Sequence, residues 1–194
     1  VLASKTQPPE AVRAAYLAGA RQFGENYVQE AATKREKLLD LTGVQWRLIG
    51  HLQKNKAKVA ARLFDVVETI DSEGLAAALA RDHPSPPFPV LIEINLAAES
   101  AKSGVAPRGA EGLINAIREK VAIQGLMAIP PASGTAEASR PYFAKLRQLR
   151  DQLAKATGLA LSDLSMGMTG DFEVAISEGA TIVRVGRAIF GERT

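Results

Sequence analysis

The sequence predicts an α/β protein, a (β/α)₈ barrel of the TIM type, as a single domain over residues 1–194. Eight short runs rich in Val, Ile and Leu alternate with helical stretches, which is typical of a parallel α/β fold. Most of these runs lack strict polar–apolar alternation, as expected for strands covered on both faces. Eight units in 194 residues leave about 24 residues each, which is tight but sufficient for a barrel.

The main alternative is a doubly wound open sheet. That architecture is less well supported, because no G-x-G-x-x-G follows the first strand. A typical barrel needs about 250 residues, and this chain begins without Met inside an apolar segment. We therefore expect that the lead-in to the first strand is missing.

Each predicted strand is followed by a predicted helix. The strands are expected at Val1–Ser4, Gln22–Glu25, Trp46–Gly50, Val66–Ile70, Val90–Leu96, Ile123–Ile129, Leu164–Met168 and Ile182–Gly186. The helices are expected at Glu10–Ala18, Asn26–Leu41, Asn55–Leu63, Ser72–Arg81, Arg108–Lys120, Arg140–Thr157, Phe172–Ser177 and Arg187–Phe190. Prolines 8 and 9 suit the first turn of the first helix, and Ser72 can cap the fourth. The longest helix carries an apolar stripe from Phe143 to Leu153 at helical spacing.

Composition excludes several classes of protein. Hydrophobic residues make up 46% of the chain and charged residues 23%, without a run long enough to span a membrane. The net charge of +3 is spread evenly, so nucleic acid is not expected as a partner. Cysteine is absent and no signal peptide is visible, which favours a cytoplasmic protein. The two histidines lack metal-ligand spacing, so no metal site is predicted.

In a barrel, chemistry gathers where the strands end and the following loops begin. Lys5 ends the first predicted strand, where an amine facing a partly dry cavity can act as a nucleophile. The alternative is a lysine that is simply solvated in its loop. The stretch from Pro130 to Ser139 is predicted as a loop on the same rim.

Two loops near Lys5 in a closed barrel have the character of anion sites. Residues Ser165–Asp171 follow the seventh strand, and Gly186–Gly191 follow the eighth. Both combine small residues with the start of a helix, and either can equally be an ordinary helix cap. A lysine beside two such loops suggests pyridoxal 5′-phosphate (PLP), with Arg184 facing the pyridine nitrogen or forming a salt bridge in the barrel wall.

The sequence resembles the pyridoxal phosphate homeostasis protein family, which is related to the N-terminal barrel of alanine racemase. The matching motifs run through the whole chain in order: Ser4-Lys5-Thr6, Phe23–Glu30, Ile49–Gln53, Lys102-Ser103-Gly104, Gly125–Met127, Leu164–Met168 and Val183–Gly191. Each motif is weak alone, and their common order and spacing are specific.

The resemblance implies that PLP is held as a Schiff base on Lys5. It also implies that the phosphate is bound by Ser165, Thr169 and backbone around Met166 and Gly186, and that two side chains, Asn26 and Arg184, lie beside the ring. It further implies a monomer that takes part in intracellular PLP (vitamin B6) homeostasis, with apo-forms of PLP enzymes as partners.

The resemblance favours a PLP carrier or regulator without robust catalysis. Racemases of the resembling group take a second base, a tyrosine, from an added β-domain, and we expect no such domain here because four residues follow Phe190. The first alternative is a weak amino-acid racemase in which Lys5 works with a rim residue such as His51 or Asp71. The second is a phosphate-binding barrel enzyme without a covalent cofactor.

Overall fold

Strands and helices alternate regularly along the chain. The computed structural model describes residues 1–83, 85, 87–97, 103–131 and 135–191. The strands are β1 (Leu2–Ala3), β2 (Gln22–Glu25), β3 (Gln45–Leu48), β4 (Val66–Ile70), β5 (Phe88–Glu93), β6 (Val121–Met127), β7 (Asp163–Met168) and β8 (Ile182–Arg184). The helices are α1 (Pro9–Leu17), α2 (Val28–Glu36), α3 (Ala57–Leu63), α4 (Glu73–Asp82), α5 (Ala110–Ile117), α6 (Arg140–Thr157), α7 (Phe172–Ser177) and α8 (Arg187–Phe190).

The eight strands form one parallel sheet that closes on itself. Each strand pairs with the next one in the sequence, from β1 to β8. The sheet closes where Leu2 pairs with Val185, just beyond β8. The Ala3 N–H donates to the Val185 carbonyl at 2.8 Å, and the Val185 N–H donates to the Val1 carbonyl at 3.0 Å. The predicted (β/α)₈ barrel is confirmed.

The predicted elements differ from the observed ones mainly at their ends. The second helix was expected to reach Leu41, and α2 ends at Glu36 because the chain tightens into i→i+3 hydrogen bonds, such as Leu38 N–H to Arg35. Strands β5 and β6 each begin two residues before the predicted position. The fifth helix is shorter than predicted, and a 3₁₀ turn at Pro107–Gly109 precedes it.

The core has an apolar outer layer and a partly polar interior. Phe23 of β2 and Trp46 of β3 are buried together, with their ring centroids 5.6 Å apart, and the Arg35 guanidinium of α2 lies over the Trp46 ring. These two rings therefore fill the layer between sheet and helices. Since side chains alternate along a strand, Arg47 points the other way, into the barrel.

A glycine-to-alanine substitution should have opposite effects on stability at two positions where the added methyl group meets only open space. A Cβ atom on either Gly43 or Gly112 would meet nothing within 4 Å. Gly112 lies inside α5, where alanine should raise the free energy of unfolding by roughly 0.5–1 kcal/mol. Gly43 has φ +68°, so Gly43→Ala should lower it by about 1 kcal/mol. Urea denaturation measures the free energy of unfolding of both variants. Changes of the same sign would contradict a helical Gly112 together with a left-handed Gly43.

No helix within the described ranges is both long enough and apolar enough to cross a membrane.

Candidate functional site

A cavity of about 670 Å³ opens at the carboxyl ends of the strands. Five residues predicted for the site line it: Lys5, Asn26, Thr169, Arg184 and Gly186. They come from the ends of β1, β2, β7 and β8, which meet at the point where the barrel closes. Parallel strands thus bring together residues that are far apart in sequence.

Lys5 is presented by a tight turn directly after β1. The Gln7 N–H donates to the Ser4 carbonyl at 3.0 Å, so Lys5 and Thr6 are the two central residues of the turn. Thr6 has φ +64°, a conformation that a β-branched residue rarely adopts. Such a conformation costs about 1–3 kcal/mol and persists only where the surroundings enforce it.

A buried lysine on α2 supports this turn. The Lys34 ammonium donates to the Ser4 carbonyl at 2.7 Å, to Glu25 Oε1 at 2.6 Å and to Glu30 Oε1 at 3.0 Å. Glu25 also accepts a hydrogen bond from the Ser4 hydroxyl, and Glu30 accepts one from the Thr6 N–H at 2.6 Å. Burial raises the pKa of the Glu25 carboxyl, and the hydrogen bonds from Lys34 and Ser4 oppose that shift.

Asn26 enters the cavity from the end of β2. Its Oδ1 is buried and has no hydrogen-bond partner among the described residues, which leaves a polar atom for a ligand to satisfy. Gly50 packs directly against this residue. A Cβ atom on Gly50 would lie 2.4 Å from the Asn26 carbonyl oxygen, so only glycine permits this approach.

Thr169 and Gly186 bring the last two loops together at the cavity. The Gly186 N–H donates to Thr169 Oγ1 at 3.3 Å. A Cβ atom on Gly186 would lie 3.2 Å from the Ala3 carbonyl oxygen, so the three segments approach one another closely. The loop after β7, the loop after β8 and the end of β1 therefore form one continuous part of the cavity wall.

Arg184 connects the cavity to the barrel interior. Its guanidinium donates from Nη1 to Ser165 Oγ at 2.6 Å and from Nη2 to the Ala128 carbonyl at 3.0 Å. The Ser165 hydroxyl donates in turn to Glu68 Oε2 at 2.5 Å, and Glu68 Oε1 accepts from Arg47 Nε at 2.5 Å. Burial lowers the pKa of Arg184, and nearby carboxylates, chiefly Glu68, oppose the shift.

Two predicted site residues lie away from the cavity wall. Ser165 is fully buried in the interior, where its hydroxyl is shared between Glu68 and Arg184. The Met166 side chain is fully buried in the apolar core. Neither is among the residues that line the cavity. Their predicted contact with phosphate stays a prediction.

The two rim residues considered as a partner base lie near each other but off the cavity wall. His51 Nδ1 is 3.9 Å from Asp71 Oδ2, and the His51 side chain is half exposed. The described residues contain no group of three or more His, Cys, Asp or Glu side chains that could hold a metal ion.

The loop from Pro130 to Ser139 was predicted on this rim, but none of its residues was predicted as a site residue. The loop predicted at 130–139 contributes Pro130, Pro131, Thr135 and Ser139 to the cavity wall. Residues 132–134 of that loop, like Lys102 of the earlier motif, lie outside the described residues. The support from Glu30 and Lys34 was also missed, because their i,i+4 spacing on a helix is equally typical of a solvated surface pair.

Known proteins resemble this chain over nearly its whole length. The family model for the alanine racemase N-terminal domain matches residues 3–194. A pyridoxal phosphate homeostasis protein of Aquifex aeolicus is 45% identical over 98% of this chain and 85% of its own length. One from Pseudomonas aeruginosa is 43% identical over 98% of this chain and 82% of its own length.

Solved structures give the same result. PipY of Synechococcus elongatus, solved with PLP bound, superposes with a TM-score of 0.88 at 37% identity and covers 98% of this chain and 92% of its own. An alanine racemase of Clostridium difficile has a TM-score of 0.77 at 11% identity, over 99% of this chain and 52% of its own, which shows the shared fold. The chain therefore belongs to the alanine racemase N-terminal domain family and, within it, to the pyridoxal phosphate homeostasis proteins.

Proposed function

We propose that this protein binds PLP covalently through Lys5 and serves as a carrier in PLP homeostasis, without robust catalysis. One observation carries the proposal. Lys5 lies in a cavity together with an unsatisfied polar atom of Asn26, the Arg184 guanidinium and the paired loops at Thr169 and Gly186. This combination of an amine, an acceptor, a cation and two loops suits an aldehyde, a polar ring and a phosphate in one ligand.

Each part of the cavity has a role in this proposal. PLP supplies an aldehyde carbon, which condenses with an unprotonated amine with loss of water. Lys5 provides that amine. Thr169 and the backbone around Gly186 would bind the phosphate, with Ser165 and Met166 as further predicted contributors. Asn26 would lie beside the ring.

Arg184 beside the ring would make bound PLP a weak electron sink. A guanidinium has only donors, so it can hydrogen-bond to the ring nitrogen only while that nitrogen is unprotonated. An unprotonated ring is the weaker electron sink, and PLP catalysis depends on that sink. The Glu68 charge, linked to Arg184 through the Ser165 hydroxyl, supports the charged form of the guanidinium.

The cavity wall also favours a carrier. A racemase needs a second proton-accepting group across the ring from the lysine. Among the described residues that line the cavity, Asp171 is the only carboxylate, and its Oδ1 accepts the Met168 N–H at 2.7 Å. The relatives named as pyridoxal phosphate homeostasis proteins support a role in PLP homeostasis, and PipY, solved with PLP bound, supports binding of the cofactor.

Trapping and turnover test the proposal together. The purified protein is mixed with PLP, reduced with borohydride and digested, and the modified peptide is identified by mass spectrometry. We expect one modified lysine, Lys5. The loaded protein is then incubated with L-alanine or D-alanine, and we expect no sustained formation of the opposite enantiomer. Sustained racemisation would overturn the carrier role, and absence of any trapped adduct would overturn covalent binding.

A further inference from the structure

We propose that Lys34 is a positioning residue, which holds the turn that presents Lys5 to the cavity with the help of Glu25 and Glu30. The inference rests on the proposed function, since it concerns how Lys5 reaches its ligand. Lys34 itself is not among the residues that line the cavity. Any effect that it has on the ligand must therefore pass through the turn.

The Lys34 ammonium is fully used. An ammonium has three N–H donors, and those of Lys34 are directed at the Ser4 carbonyl, Glu25 and Glu30. The Lys34 side chain is 4% exposed and Glu25 is 0% exposed, so water does not compete for the bond between them. A charge buried at this cost and aimed at a backbone carbonyl fixes the position of that carbonyl.

The contacts hold both peptide groups that flank Lys5. The Ser4 carbonyl belongs to the peptide group before Lys5, and Lys34 binds it. The Thr6 N–H belongs to the peptide group after Lys5, and Glu30 binds it at 2.6 Å. Two fixed peptide planes determine the backbone angles of the residue between them. They therefore fix the direction of its Cα–Cβ bond.

The strained conformation of Thr6 is consistent with this role. A threonine at φ +64° relaxes to a negative φ unless it is held. The hydrogen bond from the Thr6 N–H to Glu30 supplies the hold, and Lys34 keeps the Glu30 carboxylate in place at 3.0 Å. Release of either contact should let the turn sample other shapes, and the Lys5 amine should then leave its reactive position.

Two variants test the positioning role. In Glu30→Ala the hold on Thr6 is lost, and water can reach the vacated site because Glu30 is 29% exposed. In Lys34→Met the hold on the Ser4 carbonyl is lost. For each we expect the rate constant of the Lys5–PLP adduct formation, followed by absorbance, to fall about tenfold or more, because reactive geometry is lost.

A second ligand distinguishes a misplaced Lys5 amine from damage to the whole cavity. Pyridoxine 5′-phosphate carries an alcohol in place of the aldehyde, so it can bind but cannot condense with Lys5. We expect its dissociation constant to change by no more than about threefold in the variants, because residues 30 and 34 do not line the cavity. Glu30→Gln keeps an acceptor oxygen and should retain the native rate. Glu36→Ala and Lys37→Met, at the end of the same helix, are the matched controls.

The outcomes are distinct. If the native protein forms no adduct, the proposed function fails. If the native protein forms it and both variants match its rate, the positioning role alone is wrong. An equal loss of rate and of pyridoxine 5′-phosphate binding would also overturn it, since the whole cavity would then be damaged. If Lys34→Met does not fold, the rate constants of Glu30→Ala and Glu30→Gln are compared instead. Equal rate constants in these two variants would overturn the positioning role.

Discussion

Lys5→Ala should abolish the covalent PLP adduct completely. Lys5 is the one lysine that lines the cavity among the described residues, so no other amine there can take its place. The phosphate-binding part of the cavity is untouched, so pyridoxine 5′-phosphate should still bind within about threefold of the native affinity. Borohydride trapping with peptide mapping measures the first quantity, and a titration measures the second.

A second variant separates the positive charge of Lys5 from its nucleophilic amine. Lys5→Arg keeps a cation at the end of β1, but a guanidinium is not deprotonated in proteins and does not condense with the aldehyde. We expect this variant also to form no adduct while it binds the phosphate ligand. Lys58→Ala, an exposed lysine on α3, is the control and should label as the native protein does. A trapped adduct on another cavity residue in Lys5→Ala would contradict the assignment.

The position of the site was accessible from the sequence because parallel strands all end on one rim. Lys5 and the loop that contains Thr169 follow from strand ends in that reasoning, and Asn26 follows from the family resemblance. The structure brings all three to one cavity. The direction of a side chain inside a strand was not accessible. Ser165 lies three residues before the end of β7, and only its contact with Glu68 across the barrel shows that it points inward.

The support of the Lys5 turn was also beyond sequence reasoning. Nothing in the letters Ser-Lys-Thr indicates a left-handed residue, because threonine is disfavoured in that conformation. The conformation arises from tertiary contacts with α2, where Glu30 and Lys34 look like an ordinary surface pair at i,i+4 spacing. Local propensity here disagrees with the structure, and such disagreements concentrate at functional sites.

The polar chain inside the barrel gives the largest stability effect that we expect. Glu68 is 0% exposed and accepts from Arg47 on one oxygen and from Ser165 on the other. Because β4 and β7 are three strands apart, the bond between Glu68 and Ser165 crosses the barrel interior. Glu68→Gln leaves the buried Arg47 cation without its counter-charge, which should lower the free energy of unfolding by about 3–5 kcal/mol.

A double-mutant cycle distinguishes this ion pair from simple loss of packing. Arg47→Met alone should be about as costly as Glu68→Gln, because it leaves a buried carboxylate unpaired. The double variant Arg47→Met/Glu68→Met replaces the pair by apolar side chains. Its loss in free energy of unfolding should be markedly smaller than the sum of the losses in the single variants Arg47→Met and Glu68→Met. Urea denaturation at pH 7 measures all of these variants. Additivity within about 0.5 kcal/mol would mean that the two charges do not stabilise each other, and the interior chain would then be hydrogen bonding without ionic coupling.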